Sequence, residues 1–167
     1  LPLSFIDPVV EDPGVWGARL AIKDNQTTGS FLGHKYELIE DVFPAEADIG
    51  EVFAGHVAAG RQLFIADLPR DDLLAIAEHP DAAGALIFNG RVGDDDLRTE
   101  TCFPQVFHTA LSRAMRADGL IQFLVWKKWT EVFLLAGSTE GDQAYAAALK
   151  RAIRKFGAEL VTDIREM

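Results

Sequence analysis

Short apolar runs alternate along this chain with longer segments whose apolar positions recur every three or four residues. The runs at 3–6, 36–43, 63–66, 85–88, 132–136 and 159–164 read as strands. Between the first two, Val15, Ala18, Ala21 and Ile22 give one apolar side to a helix that begins near Pro13, and the run NQTTG at 25–29 stops it. Ile49, Val52, Phe53, His56 and Val57 repeat at helical spacing, and 70–78 reads as a short helix. The stretch 106–136 holds a short strand, a long helix, a basic-aromatic crossover and a second buried strand. Tyr145, Ala148, Leu149, Ala152, Ile153 and Phe156 form a regular stripe, with Gly157 placed as the helix stop. Strands alternating with helices imply a mostly parallel sheet, helices on both faces and right-handed crossovers. The strand–helix–strand at 132–164 starts a fresh βαβ unit, which either completes the first sheet or opens a second lobe.

Composition narrows the function classes. At 167 residues the chain can bury a core without disulfides or metals. Its 26 acidic against 16 basic residues, formal charge −10, argue against nucleic-acid or anionic-membrane partners. They do not argue against a small anionic ligand, because a few local cations outweigh distant charge across screened water. The single cysteine, Cys102, excludes an internal disulfide and a Cys-rich metal site. No apolar run approaches the roughly 18–20 residues that span a bilayer, so no direct membrane insertion is expected. The first residues, LPLSFID, lack the basic start and cleavage site of a signal peptide and read as the beginning of a mature or trimmed protein.

Arg113 lies just past a strand end, where open α/β sheets place ligand groups. A cation there, in an acidic chain, points to an anionic ligand. It also reads as a solvated residue in the first turn of a helix. His34, His56, His79 and His108 show no metal-ligand spacing. Asp94, Asp95 and Asp96 read as a polar loop tip, because no EF-hand spacing follows. The run GVWG at 14–17 fails the dinucleotide spacing, and there is no Walker lysine or G-x-S-x-G elbow. An enzyme is therefore not expected.

Three segments in order, GARLAIKDNQTTGSFLGHKYEL (17–38), FHTALSRA (107–114) and FGAELVT (156–162), resemble type 1 periplasmic substrate-binding proteins of ABC transporters, the branched-chain amino-acid-binding group. The stretches DNQTTGSFLG, FIADLP, FNGRVGDDDLRTETC and LVWKKW look like one branch of that group, associated with dehydrogenases dependent on pyrroloquinoline quinone (PQQ). The resemblance implies a doubly wound parallel sheet forming a first lobe plus the beginning of a second. The divisions it suggests are an N-terminal lobe at 1–125, a hinge crossover at 126–130 and the start of a second lobe at 131–167. It also implies a periplasmic protein that needs no cofactor and hands its ligand to a membrane permease.

Compared with amino-acid-binding relatives, the hydroxyl residues expected after the third and fourth strands are missing here, where the chain has Asp67, Leu68, Pro69, Arg70 and Asn89, Gly90, Arg91. Arg113 replaces the aspartate that binds the ligand ammonium in some relatives, and Gln143 stands roughly where a tyrosine packs on the ligand. A carboxylate at that position gains on the order of 1.5–3 kcal/mol from a charge-assisted bond to an ammonium, whereas a guanidinium favours a carboxylate. PQQ, a planar quinone with three carboxylates, suits Arg113 with Arg70, Arg91 and Lys127, and an aromatic face from Trp16, Trp126 or Trp129. Asn89 and His108, at strand ends, are further candidates. The bland readings stand beside these: Trp126 and Trp129 as core or hinge packing, Lys127 as a solvated helix-end cation, and His108 as a satisfied structural histidine. Within the binding class the alternative ligand is a branched-chain or other neutral amino acid. A remoter alternative is a receiver-like signalling domain using Asp7 and Asp67, which lacks the expected acidic pair, hydroxyl and lysine.

Overall fold

A computed structural model describes residues 13–44 and 46–161. The strand expected at 3–6, Asp7 and the tail of the strand expected at 159–164 lie outside the described residues. Helix α1 (Pro13–Leu32) is followed by α2 (Ile49–Ala58), β1 (Leu63–Ala66), α3 (Arg70–Glu78), β2 (Leu86–Asn89) and β3 (Val106–His108). Then come α4 (Arg113–Trp126), β4 (Glu131–Phe133), α5 (Glu140–Phe156) and β5 (Glu159–Val161). Strands β1, β2 and β3 form one parallel sheet in that order, and β4 pairs β5 in a second parallel ladder.

Helix α1 does not stop at NQTTG. The Asn25 side-chain amide donates to the Ala21 carbonyl, and the Thr27 and Ser30 hydroxyls donate to the Asp24 and Thr27 carbonyls. These polar side chains turn back onto the helix instead of competing with it, and the turn comes at Gly33, with φ of 70°. Residues 36–43, expected as a strand, join no ladder among the described residues. They are held by side chains: Arg19 pairs with Glu40 at 2.6 Å, and His56 Nε2 lies 2.9 Å from Asp41. The Arg19 hydrogen bond keeps the Glu40 carboxyl below its ordinary pKa.

Two apolar clusters organise the rest. In the first, Phe53 of α2 and Leu73 and Ile76 of α3 pack on Ala66 and Ile87 of the sheet, with Val92 and Leu97 closing one end. Alternation along the strands sends Leu63, Ile65, Leu86 and Phe107 to the opposite face, where they are exposed. The second cluster joins Ala117 and Ile121 of α4 to Ala148, Leu149, Ala152 and Ile153 of α5, over Val132 and Leu160. Helix α5 is well defined at both ends. Thr139 and Asp142 form a reciprocal capping box, and Gly157 closes the C-terminus in the left-handed region at φ of 74°. The segment 126–130, expected as a hinge crossover, begins with a tight helix cap. Lys128 adopts φ of 63°, its N–H bonds Val125 O, and Trp129 N–H bonds Leu124 O at 2.9 Å.

Candidate functional site

The C-terminal ends of β1 and β2 and the N-terminus of α4 surround a cavity of about 260 Å³, lined by Arg70, Arg91, Arg113 and Arg116, with Asp94 and Gly93 on its wall. Its shape begins with Asn89, whose side chain is fully buried. The Asn89 amide donates to Val92 O at 2.7 Å, while Oδ1 accepts from Arg91 N–H and Val92 N–H. This folds the chain sharply after β2, placing Arg91 and Gly93 on the cavity wall. The Asn89 carbonyl also accepts from Thr109 N–H, Ala110 N–H and the Thr109 hydroxyl, fixing the exit of β3. Gly93 is required by close approach. A Cβ there would lie 2.9 Å from Leu111 O and 3.1 Å from Arg116 Nη2.

The acidic run is structural, not a solvated tip. Asp94 pairs with Arg113 at 2.6 Å, each side chain about a quarter exposed (24% and 26%). Asp95 accepts the Ala114 N–H at 2.9 Å, a second cap on α4 beside Ser112, which accepts from Met115 N–H. Asp96 takes both nitrogens of the Arg70 fork, at 2.7 and 3.4 Å, and the Thr101 hydroxyl at 3.1 Å. Partial desolvation raises the Asp96 pKa, but the bonds from Arg70 and Thr101 and the guanidinium charge outweigh it and hold the carboxyl below its ordinary value. Arg91 Nε lies 3.9 Å from Asp67 Oδ1.

The structure brings Arg70, Arg91 and Arg113 to one cavity and gives each a carboxylate neighbour. Arg113 is not a free cation, because Asp94 neutralises it. Asn89 and His108 lie beneath the wall and do not line it. His108 Nδ1 accepts from the Asn89 amide at 3.0 Å and Nε2 donates to Leu97 O at 3.1 Å, which selects the neutral Nε2–H tautomer. Desolvation first, then the nearby Arg98 charge, lowers its pKa against the opposing bond to Leu97 O. Trp126, Lys127 and Trp129 sit at the far end of α4, about 20 Å from Arg113 at 1.5 Å per residue. Lys127 Nζ stacks over the Trp126 ring at 4.3 Å, so the two satisfy one another there. Trp16, exposed on α1 under the Arg19 guanidinium, does not line the cavity either. The residues that sequence reasoning missed are Arg116 and Asp94. Arg116 was readable as the position one helical turn after Arg113; Asp94's pairing needs the loop geometry. Among the described residues no His, Cys, Asp and Glu group converges as a metal site, and no helix is long and apolar enough to cross a membrane.

Residues 8–165, nearly all of the chain, match the Periplasmic binding protein family. The chain belongs to that family. Solved structures agree on the fold. An ABC transporter substrate-binding protein from Desulfitobacterium hafniense superposes with a TM-score of 0.70 at 22% identity, covering 92% of this chain and 46% of its own. Its complex with Leu gives 0.69 at 22% identity, over 91% and 46%. A periplasmic binding protein from Burkholderia mallei gives 0.55 at 16% identity, over 86% and 43%. No curated protein matches. The parallel sheets and covering helices are those of the type 1 periplasmic binding protein fold. The chain spans a little under half the length of these structures.

Proposed function

We propose that this chain forms one ligand-facing wall of the substrate-binding protein of an ABC transporter, working in the periplasm with a membrane permease and catalysing no reaction. The ligand this reading favours is an α-amino acid. The observation that carries it is the Arg113–Asp94 pair on the cavity wall. Opposite charges side by side suit a zwitterion, whose carboxylate meets the guanidinium and whose ammonium meets the carboxylate. The Leu complex of the similar Desulfitobacterium protein supports the same class. The packing of α4 on α5 argues for a lobe boundary at 109–112, ahead of the 126–130 crossover expected from sequence.

Titration of the ¹⁵N-labelled chain with L-leucine, followed at the amides of Gly93, Arg113 and Ala114, tests this. Saturable shifts that vanish in Arg113→Ala are expected; unmoved amides at millimolar leucine and at millimolar glutamate would sink it. A second reading, PQQ, is supported by the four guanidinium groups around one cavity, which suit three carboxylates. It is weakened because no tryptophan lines that cavity. PQQ shifting these amides at lower concentration than any amino acid would establish it instead.

A further inference from the structure

We infer that the ligand carries a second acidic group, as an amino acid with a carboxylate side chain does, and that Arg116 is the residue that selects it. This rests on the amino-acid reading of the cavity and narrows it. Of the four lining arginines, Arg70, Arg91 and Arg113 each have a carboxylate beside them, from Asp96, Asp67 and Asp94. Arg116 is in no ion pair among the described residues, and its Nη2 donates to the neutral Leu111 carbonyl at 3.1 Å. Counted by these ion pairs, the lining arginines carry one positive charge that no paired carboxylate offsets, while Asp95, which accepts the Ala114 N–H, lies outside the lining.

A zwitterion of net charge zero satisfies the Arg113–Asp94 pair and leaves Arg116 over. A ligand with one further carboxylate satisfies all three. Arg113 and Arg116 are one turn apart on α4, offset by about 4.5 Å along the axis, a span that the two carboxylates of a short acidic amino acid can bridge. Gly93 keeps this arrangement open, since a side chain there would collide with Leu111 O and Arg116 Nη2.

The same labelled chain, titrated with L-glutamate, L-glutamine and succinate, separates the claims. Glutamate should bind at least tenfold more tightly than glutamine, as expected for a charged hydrogen bond. That preference should disappear in Arg116→Gln and partly return in Arg116→Lys, with an unchanged amide spectrum away from the cavity. Equal affinities for glutamate and glutamine, or a preference surviving Arg116→Gln, would overturn the inference while leaving the amino-acid site intact. Succinate binding as tightly as glutamate would overturn the ammonium contact at Asp94. Silence from every compound would overturn the cavity reading itself.

Discussion

Asn89 and His108 show how a strand-end residue can shape a cavity that it does not line. Both were chosen from sequence because they end strands, and both instead build the wall from below. Position along the chain was legible, but burial was not. His108 also yields a pH prediction. Its folded pKa lies below the ordinary 6.5, so the unfolded chain takes up a proton first as pH falls. Stability therefore declines as pH drops through 6.5 and levels off once the folded histidine titrates. Urea denaturation at pH 7.5, 6.5 and 5.5 should show this loss, with a shallower slope in His108→Gln. Asp96 has the same sign in a lower window, beginning as pH falls past 3.8. The partly buried Asp94–Arg113 pair should show a coupling of about 0.5–3 kcal/mol in a double-mutant cycle of Asp94→Ala and Arg113→Ala. A coupling near zero would mean that solvent already screens the pair.

Elements were legible where the pattern and the caps agreed. Helix α5 has both: an apolar stripe, Thr139 and Asp142 before it, and Gly157 after it. Thr139→Ala should cost about 0.5–2 kcal/mol through loss of the cap. Gly157→Ala should cost roughly 1 kcal/mol or more, because a Cβ is disfavoured at positive φ. Chemical denaturation reads both. Segments 25–29 and 36–43 were misread for a shared reason, that local composition does not say which partner a polar or apolar group will find. Thr27 and Asn25 found helix carbonyls. Apolar residues such as Ile39 and Val42 remain exposed instead of entering a ladder.

The described structure leaves substantial apolar area open to water. Phe31 is 92% exposed on α1, and Leu63 (72%) and Ile65 (59%) stand out on the uncovered sheet face. The isolated chain should bind a fluorescent hydrophobic dye such as ANS, and Leu63→Lys with Ile65→Lys should reduce that fluorescence without lowering the helical circular dichroism. Alternating strands and helices made the fold class readable. Three of the four arginines of the cavity, Arg70, Arg91 and Arg113, were readable as well, because sheet topology gathers strand ends. Their counter-ions were not, since a loop run of aspartates carries no sign of where each one points. Helix α4 has a mechanical consequence of its own. Its tip carries Arg113, while Ala117 and Ile121 further along are rooted beside α5. It is one uninterrupted helix, so a displacement of the turn that carries Arg113 would be shared by the turns packed against α5.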